Sequence, residues 1–455
     1  MSEAAPQSAR LDSRRKVIII GGGISGLTLA LMLNRRGLAC EIFEQAESSS
    51  ELGVGMNLLP QAVGELAGLG LLCQLDAVAI RTHALIYLSR RGQEVWRELR
   101  GREAGNDVPQ FSIHRGHLHR VLRNAVEREL GAHAVRYGHR LAAFRHRGEL
   151  VHADLVNRSG ERIGTAAGNV VVGADGIHST VRAALYPREG PPCWNGAMIW
   201  RGCVDWPEFL DGRSMIVAGG LNSKAVVYPI GPALACGTRL TNWAIVSRVA
   251  PNGSVPPQRQ DWSRPGDRAE LAHHLERFAP GHVDISRLVE ATPEFWEYPM
   301  CDRDPLPGWS IDRVTLLGDA AHPMYPVGSN GATQAIVDAR CLADCLAASV
   351  DVRRAFAAYE RERLPPTTRL VLANRKGGPE AVIDAVEARA PDGFSNIEAV
   401  LPFVEREAIV RGALRGAARD SNHVQLTERR NHDHPHSPPA PGHCREAGKG
   451  LSRVP

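Results

Sequence analysis

Three short apolar runs in this chain each end at a glycine-containing turn. Continuous apolar runs of this length are typical of strands buried on both faces of a parallel sheet, and glycine permits a tight turn where such a strand ends. We therefore predict a parallel sheet with glycine turns at its carboxyl edge. The runs and their turns are residues 17–20 before 21–26, residues 170–172 before 173–176, and residues 314–317 before 318–323.

The first turn, Gly21-Gly22-Gly23-Ile24-Ser25-Gly26, predicts a dinucleotide-binding βαβ unit. A helix-like stretch follows at 27–33, and a second predicted strand at 39–43 ends at Glu44. Backbone N–H groups of such a turn approach a pyrophosphate, and the acid accepts hydrogen bonds from an unphosphorylated ribose. An ordinary tight turn is the alternative for the glycine pattern alone. The predicted cofactor contacts here are Gly21, Gly23, Ile24, Ser25, Gly26 and Glu44.

The second and third turns each place an aspartate at the end of a predicted strand. Asp175 lies in Gly173-Ala174-Asp175-Gly176, and Asp319 lies in Gly318-Asp319-Ala320-Ala321-His322. Open α/β sheets bind ligands at this edge, so both aspartates are candidate site residues. Asp-Gly is also common turn chemistry, which leaves a purely structural turn open for Asp175. His322, beside a proline, is predicted to pack and not to bind.

The three motifs in this order resemble those of the group A flavoprotein monooxygenases, the single-component aromatic hydroxylases, over about residues 15–375. The resemblance implies FAD as the cofactor, NADH or NADPH as a transient co-substrate, and dioxygen and a small aromatic molecule as substrates. It implies oxygen transfer through a C4a-hydroperoxyflavin, with decarboxylation where the reacting carbon carries a carboxylate. No residue is predicted as a catalytic acid or base. The segments most similar to phenazine-modifying members of the family are 52–57, 112–118, 198–202, 298–307 and 324–332.

The resemblance also implies cofactor contacts for Gly55, Arg115, Asp175 and Asp319. Arg115 lies just before an apolar-periodic run that begins at Leu118. A helix start there would direct the guanidinium towards phosphate or ring oxygens. A solvated surface charge is the alternative in a chain this rich in arginine.

The segment before a helix predicted at 333–339 is the candidate flavin site. A helix N-terminus presents unpaired N–H groups and a partial positive charge, which stabilise the anionic reduced flavin. Glycines let the flat ring lie against the backbone. A glycine-rich loop that only starts a helix is the alternative. The predicted contacts are Pro326, Gly328, Asn330, Gly331 and Ala332.

The predicted fold class is α/β, with a Rossmann-like FAD-binding domain, an interleaved antiparallel-sheet substrate domain and C-terminal helices. The FAD-binding domain is predicted from 15–78, 108–185 and 298–375, and the substrate domain from 79–107 and 186–297. The helices are predicted at 376–426, between a flexible leader (1–14) and a disordered His/Pro-rich tail (427–455).

A planar aromatic substrate favours an apolar or aromatic pocket with few polar anchors. Arg201 or a nearby histidine is a candidate partner for a substrate carboxylate. Ordinary core packing is the alternative for each candidate. The predicted pocket residues are Trp200, Arg201, Met215, Tyr228, Trp243 and Tyr325.

Composition narrows the possible partners. The 455 residues carry a net charge of only +4, and the arginines form no stripe with interleaved aromatic residues, so nucleic-acid binding is not expected. The leader lacks the apolar core of a signal peptide, and no apolar run approaches a membrane span, so we expect a cytoplasmic protein. The 9 cysteines lack metal-ligand spacing, and no metal site is predicted. The oligomeric state stays open between monomer and homodimer.

Several alternatives share the glycine motifs. A flavin-dependent halogenase would add a Trp-x-Trp-x-Ile-Pro signature and a catalytic lysine, whereas lysine is nearly absent here. A non-catalytic flavin-fold binding protein would not need all three motifs. Among monooxygenase substrates, a phenazine carboxylate, a salicylate-like acid and a larger polycyclic natural product stay open.

Overall fold

The structure is a computed structural model that describes residues 15–49, 53–275 and 277–418, with side chains as far as residue 412. The predicted leader, the predicted tail and residues 419–426 lie outside these ranges. The strands are β1 (Lys16–Ile20), β2 (Ala39–Phe43), β3 (Gly55–Leu58), β4 (Ala79–Arg81), β5 (Ala84–Ser89), β6 (Glu94–Leu99), β7 (Phe111–His114), β8 (Val135–Arg136), β9 (Arg140–Arg147), β10 (Leu150–Val156), β11 (Arg162–Gly168), β12 (Val170–Gly173), β13 (Cys193–Pro207), β14 (Met215–Gly220), β15 (Ser223–Ala233), β16 (Thr238–Arg248), β17 (Phe295–Asp302) and β18 (Val314–Leu316). The helices are α1 (Ile24–Arg35), α2 (Pro60–Gly68), α3 (Leu72–Asp76), α4 (Arg115–Leu130), α5 (Thr180–Leu185), α6 (Arg268–Leu275), α7 (Ile285–Glu290), α8 (Gly331–Ala348), α9 (Val352–Arg375), α10 (Ala381–Arg389), α11 (Ile397–Val400) and α12 (Phe403–Ala418).

The three apolar runs form adjacent strands of one parallel sheet. Its strand order is β18-β12-β1-β2-β8, and every pairing in it is parallel. Ile20 is in register with Gly173, which is in register with Leu316. Because parallel strands end at a common edge, the three glycine turns lie side by side.

Both faces of this sheet are covered, which explains why its central strands are apolar throughout. Helices α1 and α8 pack against each other, and the antiparallel sheet β11-β10-β9 contacts β1 and β12. Their buried side chains form one hydrophobic cluster that includes Val17, Leu29, Val171 and Ile336. Within the described ranges, no helix has the length and apolar character needed to cross a bilayer.

A second, larger sheet has the order β17-β13-β16-β15-β14-β5-β6. Its pairings are antiparallel except for β14 with β5. The sheet thus combines two separate parts of the chain, as an interleaved topology requires. The first part supplies β5 and β6, and the later part supplies β13 to β17. Strand β17 runs across the boundary predicted between residues 297 and 298. The predicted α/β fold class, with a parallel sheet and an interleaved, mainly antiparallel sheet, is confirmed.

The two faces of this sheet have different neighbours. One face packs on a cluster that includes Trp200, Trp243 and residues of α6 and α7. The other face packs partly against α10 through Val382, Ile383 and Val386. The uncovered remainder of that second face is the wall of a cavity.

Candidate functional site

The first glycine turn is packed so closely that two of its residues must be glycine. Gly21 has φ of +110°, and a Cβ there would lie 2.3 Å from the carbonyl oxygen of Ala174 in the second turn. A Cβ at Gly26 would lie 2.0 Å from the carbonyl oxygen of Gly21. Gly23 is the N-cap of α1 and has no side chain to cap the helix. The first-turn N–H groups of α1 are therefore available to an anion, as a pyrophosphate site requires.

Glu44 lies against this turn at the end of β2. Its carboxylate accepts hydrogen bonds from the backbone N–H of Gly22 at 2.7 Å and of Ala46 at 2.8 Å. Each carboxylate oxygen keeps further acceptor capacity, because an ionised carboxylate has about four lone-pair sites. The position fits the predicted contact with a ribose hydroxyl.

Asp175 has a structural task in the second turn. Its carboxylate accepts hydrogen bonds from the Ser179 hydroxyl at 2.5 Å and from the backbone N–H of Thr180 at 2.7 Å and Val181 at 3.3 Å. These bonds hold the start of α5. The cofactor role predicted for Asp175 is therefore supported only indirectly, through the contact of its turn with Gly21.

Arg182 joins the second turn to the third, and the sequence analysis missed it. Its side chain is 1% exposed and donates to the carbonyl oxygens of Ala320 at 3.1 Å and Ala321 at 2.7 Å. It also pairs with Glu189 through Nε at 2.8 Å. A buried arginine needs such a full set of acceptors, so Arg182 fixes the distance between the two turns.

Arg115 and Asp319 face the same cleft. Arg115 is the first residue of α4, as predicted. Its own burial lowers the pKa of its guanidinium, and the negative charge of Asp319 only partly opposes that shift. A Cβ on Gly331, the first residue of α8, would lie 3.9 Å from Oδ1 of Asp319. The structure thus brings a cation, a carboxylate and a helix N-terminus together.

The predicted flavin segment leads into α8 through left-handed backbone. Gly328 has φ of +69° and Ser329 has φ of +59°. Asn330 is the N-cap of α8, but its side-chain amide donates to the carbonyl oxygen of Gly328 at 3.1 Å and makes no side-chain cap. The first N–H groups of α8 therefore stay available to an anionic ring edge. Asn57 of β3, which sequence reasoning missed, donates to the hydroxyl of Ser329 at 3.3 Å.

His322 packs beneath this segment. Its Nε2 contacts a carboxylate oxygen of Asp338 at 2.5 Å, and Nε of Arg363 donates to the other oxygen at 2.7 Å. Burial acts to raise the pKa of Asp338, but the charges of His322 and Arg363 outweigh it and hold that pKa below its usual value. The three side chains tie the third turn to α8 and α9.

A cavity of about 420 Å³ lies between the open face of the larger sheet and the flavin segment. This volume is in the range of small-molecule sites. Four of the predicted pocket residues line it: Arg201, Met215, Tyr228 and Tyr325. Pro326, Gly328 and Ser329 line it from the side of the flavin segment.

Trp200 and Trp243 do not line this cavity, contrary to the prediction. Trp200 is 1% and Trp243 0% exposed, and both belong to the cluster on the opposite face of the sheet. The indole N–H of Trp200 donates to Glu297 at 3.1 Å, and that of Trp243 to the hydroxyl of Thr292 at 2.8 Å. Successive residues of a strand point to opposite faces, so Trp200 must face away if Arg201 faces the cavity.

Gly55 connects two polar side chains of the cavity wall. Its carbonyl oxygen accepts a hydrogen bond from Nη2 of Arg201, and its N–H donates to Oδ1 of Asn242 at 2.8 Å. Nη1 of Arg201 also donates to the hydroxyl of Tyr298 at 3.2 Å. Asn242, which lines the cavity, was absent from the predicted pocket. The sequence of β16 does not single it out, because the adjacent Thr241 is polar as well, and only the contact with Gly55 marks it.

Comparison with known proteins identifies the family of this chain. The FAD binding domain family matches residues 14–374. Phenazine 1,6-dicarboxylic acid hydroxylase PhzS of Lysobacter antibioticus is 42% identical over 370 residues, which cover 79% of this chain and 89% of that protein. The 3-amino-4-hydroxybenzoate 2-monooxygenase PtmB3 of Streptomyces platensis is 33% identical over 379 residues, 81% of this chain and 89% of that protein.

The fold is shared with solved structures of low sequence identity. HpxO of Klebsiella pneumoniae, solved with FAD and uric acid, superposes with a TM-score of 0.65 at 21% identity, over 81% of this chain and 89% of that one. The family match spans most of the chain, and the relatives are named as a hydroxylase and a monooxygenase of aromatic acids. The predicted cofactor and enzyme class are thereby confirmed, and this chain belongs to the FAD-binding family of group A aromatic monooxygenases.

Proposed function

We propose that this enzyme hydroxylates a planar aromatic carboxylate, with NADH or NADPH as the electron donor and dioxygen as the oxygen source. One observation carries the proposal. The cavity beside the flavin segment contains Arg201, and among the described residues no carboxylate forms an ion pair with it. A partly buried cation without a counter-ion favours a negatively charged ligand.

The names of the relatives support this substrate class. PhzS is named for phenazine 1,6-dicarboxylic acid and PtmB3 for 3-amino-4-hydroxybenzoate. Both names describe flat aromatic rings that carry a carboxylate. We infer the same class for this chain, with a phenazine carboxylate as the first compound to test.

The cavity wall suits a flat ring. Aliphatic side chains form a large part of its sheet face, where they would pack against an arene and help to keep water from the reacting carbon. These residues include Ile199, Met215, Val217, Val226, Ala244 and Met300.

The tyrosines beside Arg201 do not neutralise its charge. Burial raises the pKa of Tyr228 to about 12, although the charge of Arg201 opposes that shift. Burial likewise raises the pKa of Tyr298, again against Arg201. Both phenols therefore stay protonated at neutral pH, and Arg201 keeps its charge for the substrate.

When bound, FAD supplies the redox chemistry, which amino-acid side chains cannot. The protein holds and tunes it: the first glycine turn and Glu44 are proposed to hold the ADP half, and Arg115 and Asp319 the middle of the cofactor. The N-terminus of α8 is proposed to stabilise negative charge at the edge of the reduced ring. Aromatic substrate would lie between that ring and the sheet.

The test is a reduction assay on the flavin-loaded protein. Anaerobic mixing with NADH or NADPH, with and without each aromatic carboxylate of a panel, measures the rate of flavin bleaching. We expect at least one acid to accelerate reduction and, in air, to yield a product with one added oxygen, with or without loss of the carboxylate. If no acid does both, the proposed function is wrong.

A further inference from the structure

We propose that Asn242 determines substrate specificity, because its side-chain N–H donates to one oxygen of the substrate carboxylate while Arg201 holds the other. This proposal rests on the proposed function, since it assumes an aromatic acid in the cavity. Beyond that function, we assign a contact to Asn242 and an orientation to the substrate. Its carboxylate would point towards β13 and β16, beside Gly55.

The side-chain amide of Asn242 contains an unsatisfied hydrogen-bond donor. The residue is 0% exposed, it lines the cavity, and its Nδ2 has no hydrogen-bond partner among the described residues. Nearly all buried polar side-chain atoms have a partner, and an unsatisfied buried donor costs about 1–3 kcal/mol. A ligand acceptor would remove this cost.

The orientation of the amide is fixed. Oδ1 of Asn242 accepts the backbone N–H of Gly55 at 2.8 Å. Rotating the amide by half a turn would place its NH2 group against that N–H donor. Nδ2 must therefore be the atom that faces away from Gly55.

Arg201 presents a second unsatisfied donor in the same cavity. Its Nε is buried and has no partner among the described residues, whereas its two terminal nitrogens are bound to Gly55 and Tyr298. Water would satisfy the amide of Asn242, but it would leave the charge of Arg201 uncompensated. An anion satisfies both.

The two donors belong to neighbouring side chains on the same face of the sheet. Arg201 on β13 is directly opposite Ala244 on β16, and Asn242 is two residues from Ala244. The pair is therefore a diagonal neighbour pair on one face of the sheet, with Cα atoms roughly 7–8 Å apart. A carboxylate between them receives one N–H at each oxygen.

Gly55 holds this pair in place. Its peptide groups bind Arg201 through the carbonyl and Asn242 through the N–H, so a single residue sets the direction of both side chains. Donors that are fixed before binding lose little conformational entropy when the ligand arrives.

The experiment measures dissociation constants of the flavin-loaded protein by the change in flavin absorbance. The probes are phenazine-1-carboxylate, phenazine and phenazine-1-carboxamide, with 3-hydroxybenzoate and phenol as a smaller acid and neutral pair. The main variant is Asn242→Asp, because it keeps an acceptor for the N–H of Gly55 and removes the donor. Asn242→Leu, which removes the amide without adding charge, is the second variant.

We expect both variants to weaken binding of the acids about tenfold to a hundredfold, the effect of a lost hydrogen bond to a charged group. Binding of phenazine and phenol should change by less than about threefold. In Asn242→Asp, binding of the carboxamide should weaken less than binding of the carboxylate, because the N–H of the carboxamide can donate to the new carboxylate oxygen. The matched control is Ser247→Ala, which removes a buried hydroxyl from the same strand on the opposite face.

The outcomes separate this inference from the proposed function. If wild-type protein prefers acids and both variants keep that preference, the role of Asn242 is wrong and the proposed function stands. If the variants lose the preference but no acid yields an oxygenated product, the role of Asn242 stands and the proposed function is wrong. If wild-type protein prefers no acid over its neutral partner, the role of Asn242 is wrong, and the turnover assay alone decides the proposed function.

Discussion

Gly55 and Asn242 approach each other more closely than any other residue at position 55 would allow. A Cβ at Gly55 would lie 2.6 Å from Cβ and 2.7 Å from Cγ of Asn242, and 2.8 Å from a methyl carbon of Ile230. These neighbours belong to the interior of the larger sheet, whereas Gly55 starts β3. The contact therefore fixes the distance between the two parts of the protein that enclose the cavity.

The variant Gly55→Ala should consequently displace Asn242 and Arg201. We expect a loss of about 1–3 kcal/mol in the free energy of unfolding, as for other overpacked cores, together with weaker binding of aromatic acids. Urea unfolding and ligand titration measure the two effects. Gly64→Ala is the control, because a Cβ there meets no atom within 4 Å and lies in helix α2. It should leave acid binding unchanged, and an equal loss of acid binding in the control would contradict the account.

Two glycines of the first turn should respond differently to alanine. At Gly21 a Cβ would overlap the carbonyl of Ala174, so Gly21→Ala should lower both protein stability and flavin content. At Gly23 a Cβ meets no protein atom within 4 Å, so Gly23→Ala should keep the melting temperature of the flavin-free protein and weaken FAD binding alone. Differential scanning fluorimetry and flavin fluorescence measure the two properties. A Gly23→Ala protein with wild-type FAD affinity would remove Gly23 from the cofactor site.

Asp319 is predicted to retain the cofactor. Its carboxyl faces the cleft beside Arg115 and Gly331, so Asp319→Ala should reduce the flavin-to-protein ratio after gel filtration or raise hydrogen peroxide release per nicotinamide oxidised. Asp392→Ala is the control, since the Asp392 side chain is 98% exposed. Normal flavin content and full coupling in Asp319→Ala would exclude Asp319 from the site.

Stability should fall as the solution becomes acidic. Burial lowers the pKa of His119, whose Nε2 contacts the carbonyl oxygen of Gly22 at 2.8 Å, and burial also lowers the pKa of His178 and His274. The unfolded chain then binds more protons than the folded one below about pH 6.5, so the free energy of unfolding decreases as pH falls through that value. Denaturation midpoints measured from pH 7.5 to about 5.5 test this. His119→Gln should reduce the dependence of the free energy of unfolding on pH. An unchanged dependence would show that other groups cause the loss of stability.

Local pattern was enough to predict the elements around the cofactor cleft. The strand expected at 39–43 is β2, and the helix expected after Arg115 is α4. Apolar runs and glycines determine the backbone conformation of the residues next to them, so they predict local structure directly. The cytoplasmic location and the oligomeric state stay predictions.

The cavity was harder to predict, because its wall depends on register and on long-range contacts. Trp200 and Arg201 are adjacent in sequence, and only the face of β13 decides which one lines the cavity. Asn242 becomes a candidate only when β3 reaches β16, which brings together residues 187 positions apart. A pattern of neighbouring residues cannot predict a contact over that separation in sequence.

The proposed oxygenation is tested most directly by turnover of an aromatic carboxylate under isotopically labelled dioxygen, with mass spectrometry of the product. We expect one labelled oxygen atom on the ring for each substrate consumed, dependent on FAD and a reduced nicotinamide. We also expect Arg201→Met to raise the KM for the acid sharply. Oxygen derived from water, or no oxygenated product from any aromatic acid that binds, would contradict the proposed oxygenation.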